Sequence, residues 1–138
     1  MATNTAQLSP PPRHNGVPVV QYLRRDITYL NDGQTVDVGT LPAGSIILSP
    51  ISGMYVTTIF NGGGNNYVDI GASTDSGTNN LATQLSGLSI AFVVLAEVAT
   101  AGPLIATDTK IVALVTSTSS PSAGAATIVI AFVEDNDL

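Results

Sequence analysis

Apolar and polar residues alternate along most of the chain in short runs, and turn-forming residues separate the runs. Residues 24–30 place Asp26, Thr28 and Leu30 on one side and Arg25, Ile27 and Tyr29 on the other, which is the period-two signature of a strand. Asn31-Asp32-Gly33 is a hairpin signal, and residues 34–38 read as the returning strand. Leu41-Pro42-Ala43-Gly44 reads as a tight turn feeding an apolar strand at residues 45–48. Proline presets one turn dihedral there, and glycine can take a positive φ. Pro50 ends that strand or marks an edge bulge. Residues 53–60 resume it, with Met54, Val56, Thr58 and Phe60 on one face and Tyr55, Thr57 and Ile59 on the other. After the Gly-rich turn 61–66 comes a short strand, 67–71. A long Ser/Thr/Asn/Gly loop follows at 72–84, with one helical turn expected around residues 80–85. The apolar run 88–98 reads as strand, broken by Ala101-Gly102-Pro103, and residues 109–117 and 125–133 are the last two strands.

Seven or eight strands, no convincing helix and regularly spaced turns predict an all-β protein, an antiparallel β-sandwich or barrel. The last two strands carry apolar residues on both faces. Ile111 and Val115 oppose Val112 and Leu114, and Ile128, Ile130 and Phe132 oppose Val129 and Val133. With no helix to cover a second face, Val112, Leu114, Val129 and Val133 are the candidate residues of a homo-oligomer interface.

The first residues are of another kind. Pro10, Pro11 and Pro12 favour polyproline II, and Asn15-Gly16 and Pro18 also punctuate the segment. Val17, Val19, Val20, Tyr22 and Leu23 give it more apolar surface than a purely disordered tail carries. The organisation expected is an extended N-terminal arm, residues 1–23, followed by one sandwich domain, residues 24–138.

Charge sharpens that division. Only 10% of residues are charged, against roughly 25% in ordinary soluble domains. Residues 1–25 hold Arg13, Arg24 and Arg25 and no acid, while residues 26–138 hold Lys110 against all ten acids. A +3 arm region and a −9 body give the net −6 of the whole chain. There is no basic patch on the body, so nucleic acid is not an expected partner. The most apolar run, residues 90–99, is too short to span a bilayer and contains Glu97, so no membrane is expected either. The polar start carries no secretion signal, and the expected product is soluble and made in a cytoplasm.

Candidate chemistry is sparse. With no cysteine, a disulfide framework and a cysteine metal site are both excluded. His14, the single histidine, lies in the Pro-rich segment without a nucleophile or acid beside it, so a triad is not expected. The run 61–66 is Gly-rich but lacks a Gly-Lys-Ser/Thr ending and leads into a strand, unlike a phosphate cradle. Asp69, Asp75, Asn79 and Asn80 supply oxygens around one loop, but their spacing fits no EF-hand and turn chemistry accounts for them. Two glutamates and no tryptophan make a glycosidase carboxylate pair a poor reading. No catalytic residue, metal or cofactor is expected.

Thr40-Leu41-Pro42-Ala43-Gly44-Ser45-Ile46-Ile47 resembles the recurring LPAG-x-(I/V)-(I/V) stretch of a family of small β-rich structural proteins of tailed bacteriophages. Val56-Thr57-Thr58-Ile59-Phe60-Asn61 and Tyr67-Val68-Asp69-Ile70-Gly71 match further strands, and residues 123–133 resemble the family's closing strand. The resemblance covers residues 36–133 and leaves residues 1–25 outside. It implies a capsid decoration (cement) protein with a jelly-roll-like sandwich. Such proteins typically form homotrimers on the outer surface of the phage head, with the major capsid protein as partner. Arg13, Tyr22, Arg24 and Arg25 are then the expected capsid contacts. The competing reading is a head or tail fibre module that binds a receptor or glycan through loop 72–84.

Overall fold

The computed structural model describes residues 19–74, 77–96 and 105–134. Arg13, His14, the three prolines at 10–12, Asp75, Glu97 and the acidic end at 135–137 lie outside the described residues. Nine strands are present among the described residues: β1 (Val20–Thr28), β2 (Thr35–Leu41), β3 (Ser45–Ile47), β4 (Gly53–Thr58), β5 (Asn66–Ala72), β6 (Ala82–Ser86), β7 (Phe92–Val94), β8 (Thr109–Ser117) and β9 (Ala125–Glu134). They form two antiparallel sheets, as an antiparallel β-sandwich requires. One has the order β1-β9-β4-β7, with β3 also on β9, and the other has the order β2-β8-β5-β6.

The inward sets build one core. Met54 and Val56 of β4 and Ile128, Ile130 and Phe132 of β9 face Val68 and Ile70 of β5 and Ile111, Ala113 and Val115 of β8. Their alternation is the one legible in the sequence, because one face of each strand is packed and a one-residue slip would turn that face to water.

The hairpin expected across Asn31-Asp32-Gly33 does not form. β1 pairs with β9 and β2 pairs with β8, so the connection carries the chain from one sheet to the other. A 3-10 turn, Tyr29–Asn31, and Gly33 at φ +75° shape it. Asp32 Oδ1 accepts the Ser117 N–H at 2.8 Å, and Val115 O accepts the Gly33 N–H at 2.9 Å, so the turn is tied to the end of β8. Leu23 of β1 and Gly39 of β2 then meet across the sandwich, where a Cβ on Gly39 would come within 2.9 Å of Leu23.

β3 and β4 are one strand interrupted. Both run antiparallel to β9, and a 3-10 turn, Ser49–Ile51, containing Pro50 lies between them. The gap in the ladder falls at Ala131. The buried Ser52 hydroxyl fills it, accepting the Ala131 N–H at 2.8 Å and donating to Leu48 O at 2.8 Å, while Leu48 N–H reaches Ala131 O.

Two further expectations change. Residues 82–86 form strand β6 rather than a helical turn. Within the run 88–98, strand is confined to Phe92–Val94 among the described residues.

Candidate interaction face

The four-stranded sheet turns a polar, self-covered surface outward. Lys110 and Asp37 form an exposed ion pair at 2.9 Å on neighbouring strands. Asp69 Oδ1 accepts the N–H of Gln84 at 2.7 Å, which holds the bulge where Gln84 takes φ +53°. Asn80 Oδ1 accepts the Ala72 N–H, so the loop returns over Gly71, where a Cβ would meet Asn80, Asn79 and Thr78 within 2.8 Å. Asp69, Asn79 and Asn80 are thus engaged in backbone turns. No group of three or more acids, histidines or cysteines placed to hold a metal occurs among the described residues. Val112, opposite Gly71, is already buried by its own chain, and Leu114 is half-buried.

The five-stranded sheet differs. Every exposed large apolar side chain that lies in a strand lies in this sheet: Val20, Tyr22, Ile46, Tyr55, Phe92 and Val94. The register shows how they assemble. Val20, Val133 and Ile46 share one row across β1, β9 and β3. Arg24, Val129, Gly53 and Val94 share the next full row, and Asp26, Thr127, Tyr55 and Phe92 the one after it. Tyr22 lies between the first two rows, opposite Ala131, and is 66% exposed. Gly53 is required in its row because the β7 backbone at Val93 passes where a Cβ would stand. Ile90 continues the β7 spacing and is also exposed.

Four of the sequence-derived site residues, Tyr22, Arg24, Val129 and Val133, therefore fall on this one face, two of them read as capsid contacts and two as oligomer contacts. Arg25 lies on the opposite side of β1, in register with the buried Ile128, and stays exposed because β1 is the edge of its sheet. β1 begins at Val20, ahead of the expected domain boundary at residue 24. Tyr55 was readable as outward-facing from its alternation. Phe92 and Val94 were not tied to it, because only the β4–β7 pairing brings them together.

The charges on the face are few and paired locally. Arg24 and Asp26 approach to 3.3 Å, and Thr127 Oγ1 donates to Asp26 Oδ1 at 2.7 Å. That hydrogen bond, with the Arg24 guanidinium beside it, holds the Asp26 carboxyl below its usual range. On the other side of the same strands, where Arg25 also lies, Gln21 Nε2 donates to Glu134 Oε1 at the β1–β9 end. Among the described residues this face carries no nucleophile–base or paired-carboxylate arrangement, and apolar side chains make up much of its exposed surface.

No protein-family model and no curated protein matches the sequence. Solved structures do match the fold. A chain of the acidic stable capsid structure of Helicobacter pylori bacteriophage KHP30 is similar with a TM-score of 0.66 at 12% identity, over 83% of this chain and 87% of that one. A chain of the cyanophage Pam1 capsid asymmetric unit is similar with a TM-score of 0.64 at 12% identity, over 91% of both. At such identity the likeness concerns the fold.

Proposed function

We propose that this protein is a structural component of a phage virion, of the capsid decoration type, placed on the outer surface of the head. One observation carries the reading. A sandwich whose fold is similar to chains of two phage capsid structures gathers its strand-borne exposed apolar side chains on a single sheet face. An exposed apolar face of this kind marks a partner. The strand order supports a jelly roll, since with β3 and β4 taken as one strand the chain crosses between the two sheets in the manner of two Greek keys.

The mechanism is adhesion. Tyr22 and Arg24 on the outer face of β1, Arg25 at its edge, and Arg13 in the preceding segment contact the major capsid protein. Val129 and Val133 on the same face, with Leu114 on the other, contribute to self-association as a homotrimer. Val112 has little surface left to offer. Residues 1–18 extend from Val19 to neighbouring subunits of the shell. Contacts that are individually modest add through effective concentration when one molecule spans several subunits, and so resist displacement of any of them.

The test is occupancy on intact heads, with and without residues 1–20. Many copies per head that vanish on truncation support the reading. A handful of copies, or full occupancy by the truncated protein, overturns it. A second reading, a fibre module binding a glycan, is favoured by one feature, a polar cleft lined by Asn65, Asn66, Tyr67, Gln84, Ser86 and Leu88. Its volume of about 150 Å³ is under the ~300 Å³ at which ordinary ligand pockets begin. Specific hits on a glycan array would revive it.

A further inference from the structure

Three aromatic side chains, Tyr22, Tyr55 and Phe92, are exposed among the described residues, and all belong to the five-stranded sheet. Tyr55 and Phe92 are direct cross-strand partners in β4 and β7. Val94 flanks them on one side and Ile90 on the other, all exposed. The result is an aromatic ledge with aliphatic shoulders, at the opposite side of the sheet from β1.

The same chain carries a segment of complementary chemistry. Pro10, Pro11 and Pro12 favour polyproline II, and Leu8 and Val17 lie on either side of them. Aromatic-lined surfaces recognise that helix because it is formed in advance and loses little entropy on docking. Arg13 follows the prolines, and residues 1–18 contain no acid. Asp26 lies in the same row as Tyr55 and Phe92 with its carboxylate exposed, so a cation beside the prolines has a partner. We propose that the segment around residues 10–13 of one copy docks on the Tyr55–Phe92 ledge of a second copy.

Reach decides between copies and self. The described chain starts at Val19, and Val20 sits beside Val133 and Ile46, at the other end of β1 from Asp26. Six residues along the strand and two to three strands across put the ledge about 24 Å from Val20. A return within one chain would need the residues between Pro11 and Val20 at nearly full extension, about 28 Å, immediately after a reversal beside Pro18. Running outward without that reversal, the same residues place Pro11 about 28 Å from Val20, which reaches the ledge of a copy packed against that end of the sheet. This rests on the reading of residues 1–18 as a docking segment and adds a sibling copy to the shell among its partners.

The test uses purified full-length chain, without heads. Pro11 is replaced by a photo-crosslinking phenylalanine analogue, and light and heavy isotope-labelled chains are mixed before illumination. The expected products are mixed-label cross-links into residues 53–58 and 90–94. Their yield should fall several-fold in the Tyr55→Ser/Phe92→Ser variant and stay unchanged in Leu88→Ser, which lies outside the ledge. Cross-links confined to other surfaces, single-label products only, or a yield indifferent to Tyr55→Ser/Phe92→Ser would each overturn the proposal. Occupancy on heads is read separately. A protein that cross-links in this way and does not decorate heads sinks the shell reading and upholds the contact between copies.

Discussion

The outward faces of the two sheets solve the same problem in opposite ways. The outward face of the four-stranded sheet is covered and paired by its own chain. Its bulge at Gln84 is held by Asp69, its loop closes over Gly71, and its surface charges pair as Lys110 with Asp37. The five-stranded sheet leaves Tyr22, Tyr55, Phe92, Val94, Val20 and Ile46 in water. Burying an apolar side chain is worth about 1.5–3 kcal/mol. On the reading proposed above, one side of the sandwich serves stability and the other attachment.

The largest effects should come from the two glycines at which each sheet is closely approached. At Gly53 the obstacle to a Cβ is the backbone of β7, which is itself a ladder strand. Gly53→Ala should cost about 3 kcal/mol, the upper end for overpacking, and lower Tm by roughly 10 °C. At Gly71 the obstacle is the loop at Thr78–Asn80, which can lift. Gly71→Ala should cost about 1–2 kcal/mol. Thermal denaturation of both variants checks the order. An equal loss at Gly71 would mean that the loop is as firmly built in as a strand, and the self-covered face would then be more rigid than the argument above requires.

What the sequence made legible follows the same division. The core was readable because Met54/Val56 and Ile128/Ile130/Phe132 repeat at period two and need only local alternation to be placed. Strand partners were not. Asn31-Asp32-Gly33 signals a reversal, but nothing local says that the chain returns in the other sheet, and that depends on β9 and β8 about a hundred residues on. β6 was misread because Gln84, at φ +53°, breaks the alternation that would have marked it. Val112 was readable as outward-facing, but it is buried opposite Gly71, over which a non-local loop closes. The interaction face was half visible. Tyr22, Arg24, Val129 and Val133 were singled out as two separate contacts, and register alone unites them with Tyr55 and Phe92.

The comparison sharpens if one face can be altered without touching the fold. Tyr55→Ser with Phe92→Ser should change the stability of the isolated chain by no more than about 0.5 kcal/mol, the usual range for exposed sites. Self-association should weaken at least tenfold by analytical ultracentrifugation, since aromatic anchors at an interface are worth on the order of 2 kcal/mol each. Lys110→Ala on the other face removes an exposed ion pair worth at most about 0.5 kcal/mol and should leave association unchanged. Equal effects from both faces would dissolve the distinction.

The smallest effect is a pH dependence on the attachment side. Asp26 is exposed, and its carboxyl is held below the ordinary value of 3.8 chiefly by the Thr127 hydroxyl and then by Arg24. A carboxyl with a lowered folded-state pKa contributes stability that is present above its unfolded value and is lost as pH falls through the folded one. The loss therefore begins only below about pH 4. Solvent screens so exposed a group, and the slope should be slight. Tm measured from pH 6 down to pH 2.5 should fall a little more steeply in the native chain than in Asp26→Asn, with Thr127→Val lying between them. If Asp26→Asn follows the native curve throughout, the hydrogen bond from Thr127 adds nothing to folding. The Arg24–Asp26 pair then matters only as charge displayed beside the aromatic ledge, where a partner's cation would be the group to feel it.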